Sequence, residues 1–146
     1  MNVIYARESI TPAIFLAGPT PRDPKTESWR PEALKILELH DFEGTVYVPE
    51  NRVYTDGYEY DAQVNWEWLA LEVSTAIVFW VPRELNKMPA MTTNIEFGHY
   101  VKDGRVVLGY PKDAPKMKYL HALADRYSVP VFHDLERTII AAIDMA

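Results

Sequence analysis

Two glutamates stand where a carboxylate could do chemistry, Glu96 and Glu67. Glu96 lies in the segment Met91–His99, which follows a predicted strand and begins a predicted helix. A carboxylate in the first turn of a helix lies near free backbone amides and the positive end of the helix dipole, and both favour its ionised form. An ionised carboxylate can attack an electrophilic carbon, so we predict that Glu96 is a nucleophile.

A purely structural interpretation of Glu96 is also open. Thr93 and Glu96 have the spacing of a capping box, in which the glutamate only satisfies an unpaired N–H group at the start of a helix. Gly98 favours a functional role instead, because a glycine inside a helix costs about 1 kcal/mol relative to alanine and suggests close approach by another group. The local sequence permits both interpretations.

Glu67 is the second candidate and stands between Trp66 and Trp68. Two neighbouring indoles would partly desolvate its carboxyl group, which suits that group to proton transfer. The structural alternative is an exposed helical glutamate between two packing aromatic residues, and Glu72 on the same predicted helix competes for the role. Paired carboxylates about 5 Å apart are typical of glycoside cleavage through a covalent intermediate.

The segment Gly18–Arg22 follows the first predicted strand, and a sharp turn at Gly18 and Pro19 would let a ligand approach the backbone. The segment is neither a dinucleotide-binding fingerprint nor a Walker loop, and a rigid turn is its structural alternative. Arg22 could meet a phosphate or a carboxylate, although a single arginine on a loop is usually solvated.

Metal and thiol chemistry find no support in the sequence. The chain has no cysteine, which excludes disulfides, thiol catalysis and thiolate metal sites. His99 shares a helical face with Glu96 and could border a site, although such a histidine more often packs. We predict no metal, because the four histidines are too dispersed for a metal-ligand spacing: His40, His99, His121 and His133. We also expect no cofactor.

Composition limits the partners. The net charge is −6 and no cluster of lysine and arginine occurs, so we predict a small-molecule partner and no polymeric nucleic acid. No apolar run reaches the ~18 residues of a membrane span, and the N-terminal residues lack the apolar region of a signal peptide, so we expect a cytoplasmic protein without membrane contact. With 146 residues, 48% of them hydrophobic, the chain suits one domain over residues 1–146.

Five apolar runs of strand length alternate with helical patterns, which predicts an α/β fold with a parallel sheet and helices on both faces. Such sheets bind ligands beyond the carboxyl ends of their strands. One helix is predicted from about Thr93 to Asp103, closed by Gly104. The predicted strands are Ala13–Ala17, Thr45–Val48, Ala76–Val81, Val106–Leu108 and Val129–Phe132. The long loops that leave strand ends are Gly18–Glu27, Pro49–Tyr60 and Pro82–Thr92.

Several of these segments together resemble the nucleoside 2-deoxyribosyltransferase-like family. The resemblance covers roughly residues 13–111, with the blocks in the family's order. The loop Pro49–Arg52 is similar to the loop after the second strand in that family. The blocks that carry the resemblance are Ile14–Pro19, Trp66 and Glu67, Ala76–Pro82, and Thr93–Gly98.

The resemblance implies a flavodoxin-like doubly wound sheet of five strands in the order 2-1-3-4-5. It implies an enzyme that cleaves or exchanges the N-glycosidic bond of a nucleoside or nucleotide by a retaining double displacement. Glu96 would attack C1′ of the sugar and form a glycosyl ester, and Glu67 would orient Glu96 or help to protonate the departing base. Water or a second base would then release the sugar.

The resemblance also implies the binding residues. Arg52 stands about where relatives read the base, Thr93 and Asn94 would line the sugar side, and Gly18 and Pro19 would contact substrate at the first turn. Relatives form dimers or larger oligomers, so we expect a homo-oligomer.

The sequence departs from the family's pattern at three places. Ala90 replaces an aspartate, Ile14 replaces a tyrosine, and the second acid is Glu67 rather than an aspartate. These departures bear on the substrate more than on the fold. An inactive nucleotide-binding or ADP-ribose-binding module and an NAD or nucleotide hydrolase are the alternatives.

Overall fold

The structure is a computed structural model that describes residues 3, 5, 6, 10–51 and 60–146. Strands and helices alternate throughout these residues. The strands are β1 (Ala13–Ala17), β2 (Thr45–Tyr47), β3 (Ala76–Trp80), β4 (Val106–Gly109) and β5 (Val131–Phe132). The helices are α1 (Arg30–Leu39), α2 (Tyr60–Val73), α3 (Met91–Tyr100), α4 (Lys118–Arg126) and α5 (Leu135–Met145).

The five strands form one parallel sheet in the order β2-β1-β3-β4-β5. This arrangement confirms the predicted flavodoxin-like α/β fold. The direction in which strands are added to the sheet reverses between β1 and β3, which pair from Ile14 opposite Ala76 to Ala17 opposite Phe79. Crevices beyond the carboxyl ends of two such strands are where open sheets of this kind bind ligands.

Every residue of β1 and β3 is buried, because helices cover both faces of the sheet. Successive side chains of a strand point to opposite faces. In β1, Phe15 and Ala17 pack in the core with residues of α2, α3 and α4. Ile14 and Leu16 pack in the core with residues of α1 and α5. The continuous apolar runs in the sequence are therefore the signature of a sheet with two buried faces.

Helix α3 begins at Met91, two residues before its predicted start, and ends at Tyr100, three residues before its predicted end. The difference arises from the residue before the helix, Ala90, whose backbone is left-handed at φ 58° and ψ 40°. The chain therefore turns into the helix at Ala90, without a capping side chain. Gly104 belongs to the turn that leads into β4 and does not cap α3.

Across residues 3, 5, 6, 10–51 and 60–146, no helix combines the length and the apolar character needed to cross a bilayer.

Candidate active site

A cavity of about 250 Å³ opens at the switch between β1 and β3. Each of the three loops that the sequence singled out contributes to its wall, together with residues of α1, α2 and α3. The lining residues are Phe15, Ala17, Gly18, Pro19, Thr20, Arg22, Arg30, Pro49, Tyr60, Gln63, Val64, Glu67, Pro89, Ala90, Met91, Thr92, Thr93 and Glu96.

The structure brings Glu96 and Glu67 to this one cavity, from α3 and α2 respectively. Glu96 is the sixth residue of α3, in the second turn rather than the first. The proposed capping box is therefore wrong: Thr93 is inside the helix, and no acidic residue stands in the first turn.

Burial sets the protonation of Glu96. The pKa of Glu96 is raised to about 7. Loss of solvent contact is the largest cause, the nearby Glu67 also raises this pKa, and Arg30 lowers it. The sequence-based expectation that the helix start favours the ionised form was wrong in direction. The carboxyl group lies beyond the first turn, where the dipole effect fades, and desolvation dominates.

Glu67 is held by its own helix. Gln63, one turn earlier in α2, donates a hydrogen bond from Nε2 to Oε1 of Glu67 at 2.7 Å. The flanking indoles do not enclose this carboxyl group. The ring of Trp66 lies near the rings of Phe15 in β1 and Tyr47 in β2, and Trp68 is 60% exposed.

Glu72, the competing acid of α2, faces a different partner. Its Oε1 accepts a hydrogen bond from the Tyr100 hydroxyl at 3.0 Å, and Glu72 is not among the residues that line the cavity. The structure therefore pairs Glu96 with Glu67 and not with Glu72.

Arg30 is the residue of the site that the sequence analysis missed. Its side chain is 1% exposed, yet it lines the cavity and forms an ion pair with Glu50. Glu50 also accepts a hydrogen bond from the Ser28 hydroxyl at 2.6 Å. The local sequence shows only that Arg30 precedes Pro31 at a predicted helix start. An arginine at such a position is equally consistent with a solvent-exposed side chain.

Gly18 and Pro19 line the cavity, and their contact with substrate stays a prediction. Gly18 has φ +149°, and a Cβ atom there would lie 2.2 Å from the carbonyl oxygen of Trp80. Only glycine fits this close approach of β1 to β3. Thr93 also lines the cavity and is buried.

Other predicted residues lie elsewhere. Asn94 is not among the lining residues, and its Oδ1 accepts a hydrogen bond from Nη2 of Arg83 at 2.5 Å. His99 is exposed, with its ring against Tyr100. Arg52 falls outside the described residues, so its predicted contact with the base stays a prediction.

The close approach expected at Gly98 does not come from the described residues of this chain. A Cβ atom at this position would have no neighbouring atom within 4 Å. Gly98 is exposed on α3, so its lack of a side chain is not explained by packing in this chain.

The described residues contain no group of three or more His, Asp or Glu side chains that could hold a metal ion. The charged groups that line the cavity are two glutamates and two arginines, Glu67, Glu96, Arg22 and Arg30. Two carboxyl groups of which one has a pKa of about 7 are equipped for nucleophilic attack and proton transfer near neutral pH.

Comparison with known proteins identifies a family for the chain. No curated protein matches the chain. A protein family described as nucleoside 2-deoxyribosyltransferase like matches residues 11–114, which extend from just before β1 to the end of β4 and beyond. This range includes every residue that lines the cavity. The chain belongs to the nucleoside 2-deoxyribosyltransferase-like family.

Proposed function

We propose that this protein cleaves or exchanges the N-glycosidic bond of a nucleoside or nucleotide, through a covalent glycosyl ester on Glu96. The observation that carries the proposal is that Glu96 and Glu67 line one small cavity at the switch point of the sheet. Membership in the nucleoside 2-deoxyribosyltransferase-like family supports a substrate of the nucleoside class.

In the first step, an oxygen of the Glu96 carboxylate forms a bond to C1′ of the sugar. The bond between C1′ and the base nitrogen breaks, and its electron pair leaves with the base. Glu67, held by Gln63, gives its proton to the departing base, which leaves as a neutral molecule. Two displacements in sequence retain the configuration at C1′.

In the second step, the sugar leaves Glu96. Water or the N–H group of a second base attacks C1′, and the ester bond to Glu96 breaks. The proton of the attacking group passes to Glu67, which restores the starting state. Attack by water gives hydrolysis, and attack by a base gives transfer.

This cycle needs one proton on the pair of glutamates at its start. With its pKa near 7, Glu96 exchanges its proton close to physiological pH, and the charge of one glutamate disfavours charge on the other. When substrate is bound, Glu67 holds the proton of the pair and passes it to the base. Glu96 is then the charged carboxylate that attacks C1′. We expect the rate to fall as the pH rises through about 7, because the pair of glutamates then loses the proton that the departing base needs.

The size and charge of the site support a small-molecule substrate. A cavity of about 250 Å³ is close to the lower end of ligand pockets, roughly 300–1,000 Å³. The net charge of −6 disfavours a polymeric nucleic acid, whose binding depends on many cationic contacts.

Incubation of the protein with mixed deoxynucleosides and free bases, followed by chromatography, tests the proposal. The wild type should release or exchange bases. Glu96→Gln should abolish turnover, and Glu67→Gln should lower kcat roughly 10²–10⁴-fold through loss of acid–base catalysis. Intact-mass spectrometry of acid-quenched reactions should detect the glycosyl adduct in the wild type and not in Glu96→Gln.

Glu72→Gln is the matched control, because it removes the other acid of α2 outside the cavity and should keep turnover. If the wild type binds nucleosides, nucleotides or NAD without turning any of them over, the protein is a binding module and the proposal is wrong. If Glu96→Gln keeps full turnover, Glu96 is not the nucleophile.

We further propose that copies of the chain associate. Several large apolar side chains are exposed on α2 and α3, which pack against the same face of the sheet. A contiguous exposed apolar patch marks an association surface, and we propose that these side chains form one. They are Trp68, Leu69, Val73, Met91 and Ile95.

The cytoplasmic location stays a prediction from the sequence.

A further inference from the structure

Trp29, which directly precedes α1, and Arg30, the first residue of α1, hold three consecutive residues of the cavity wall. The indole Nε1 of Trp29 donates to the carbonyl oxygen of Pro19 at 3.2 Å. The guanidinium of Arg30 donates from Nη2 to the carbonyl oxygen of Gly18 at 2.7 Å and from Nη1 to Oγ1 of Thr20 at 3.0 Å. Trp29 and Arg30 therefore hold the turn Gly18–Thr20 through one hydrogen bond to each of its three residues.

The remaining bonds of Arg30 join two strand ends. Its Nε donates to the carbonyl oxygen of Leu16 in β1 at 3.0 Å, and its Nη1 pairs with Glu50, just after β2, at 2.5 Å. A planar fork with fixed donors is suited to such simultaneous contacts, and a lysine ammonium cannot reproduce them. Arg30 is thus the point at which the β1 turn and the β2 loop are fixed to each other.

Arg30 also contributes charge to the site. The described charged or titratable residues that share the cavity with Glu96 are Arg22 of the β1 turn, Arg30 of α1, and Tyr60 and Glu67 of α2. Of these, Glu67 raises the pKa of Glu96 and Arg30 lowers it. Arg30 is the buried one of the two arginines, so solvent screens its field less than that of exposed Arg22.

We propose that Arg30 is a positioning residue for the glycosyl transfer, which fixes the turn Gly18–Thr20 against the substrate and sets a permanent positive charge in the wall of the cavity. The inference rests on the proposed function. Arg30 does not exchange a proton or bond to the sugar. It acts through the geometry of the turn and through the charge state of Glu96.

Three variants separate the two parts of this role. Arg30→Met removes the fork and the charge. It should lower kcat about 10²-fold, as misplaced substrate contacts do, and move the falling limb of the pH profile upward by roughly one pH unit. Arg30→Lys keeps the charge without the fork, so it should lower kcat and leave the limb near its wild-type position.

Glu50→Gln keeps the acceptor oxygen for Arg30 and Ser28 but removes the negative charge that offsets Arg30. It should therefore move the limb downward, opposite to Arg30→Met. Because its shape is conserved, this variant keeps the proposal testable if Arg30→Met does not fold.

Arg105→Met is the matched control. Arg105 donates hydrogen bonds to the carbonyl oxygens of Leu71 and Ser74 and does not line the cavity. Its loss should reduce stability through unsatisfied carbonyl groups without a shift of the limb. If Arg30→Met leaves the limb in place, as Arg105→Met should, the proposal is wrong. It is also wrong if Glu50→Gln moves the limb upward.

Titration of Glu96 by carboxyl ¹³C NMR gives a readout that does not need turnover. If the wild type lacks base release, the proposed function fails, and the titration midpoints of Glu96 in the same variants still report whether Arg30 acts on it. If the wild type is active and the midpoints do not move, only the inference about Arg30 fails.

Discussion

Glu96 combines catalytic potential with a stability cost. An acid whose pKa rises from 4.5 to about 7 on folding binds its proton more tightly in the folded chain than in the unfolded one. Its contribution to stability is fully present below pH 4.5 and is lost as the pH rises through about 7. At and above neutral pH, the folded protein must keep a charge in a desolvated site, as functional carboxyl groups often do.

Replacement of Glu96 by glutamine should therefore stabilise the protein in a pH-dependent way. The amide cannot ionise, so Glu96→Gln escapes the desolvation of the carboxylate. The variant should gain up to about 3 kcal/mol of unfolding free energy over the wild type at pH 8 and almost none at pH 4. Urea denaturation at a series of pH values measures this difference. A difference that does not grow with pH would contradict the raised pKa.

The sequence singled out Glu96 and Glu67 as candidate acids, but it did not indicate the residues that surround them. Glu96 and Glu67 stand in recognisable segments after strand-like runs. Arg30 and its partner Glu50 are 20 residues apart, and only the pairing of β1 with β2 brings them together. The pKa of Glu96 was misjudged for a similar reason, since burial depends on contacts that local spacing does not encode.

At the scale of elements, the strands were the most predictable part of the fold. β1 was predicted with its observed bounds, and the predicted starts of β2, β3 and β4 agree with the structure. Strands buried on both faces leave continuous apolar runs. β5 was predicted two residues too long at its start, and its residues are only partly buried. A strand that is only partly buried leaves a weaker pattern of apolar residues in the sequence, so its bounds are harder to predict.

The bounds of α3 were less predictable, because its start depends on a backbone conformation. Ala90 adopts φ 58°, a region in which residues other than glycine are uncommon. Thr93 is a residue type that commonly begins a helix, so the start of α3 was predicted two residues too late. That shift placed Glu96 in the first turn and reversed the expected effect on its ionisation.

Gly98 gives a prediction that belongs to α3 as a helix. A Cβ atom at this position meets open space, so Gly98→Ala should stabilise the protein by about 1 kcal/mol through helix propensity alone. Turnover should stay at the wild-type level. Thermal unfolding measures the gain.

Gly18→Ala is the contrasting variant, since its Cβ would collide with the backbone of Trp80; it should destabilise the protein. A loss of stability in Gly98→Ala would show that another group does cover this part of α3.

At the scale of the whole molecule, the order of the strands came from the resemblance to a family and not from periodicity. Alternation of strands and helices predicts a parallel sheet with several possible orders. The position of the site was nevertheless predictable, because any doubly wound order places long loops at the carboxyl ends of the strands. The cavity receives residues from all three of the loops that the sequence singled out.

Association of the chain with further copies gives the last prediction. Ile95 on α3 and Tyr119 on α4 are each 75% exposed, but only Ile95 stands among the apolar side chains of α2 and α3. If that surface joins two copies, Ile95→Glu buries an unpaired charge, which costs about 3–5 kcal/mol and weakens association more than 100-fold at about 1.4 kcal/mol per tenfold. Sedimentation velocity should then show a smaller species for Ile95→Glu, whereas Tyr119→Glu should sediment like the wild type. A wild type that is monomeric at micromolar concentration would contradict the proposed association.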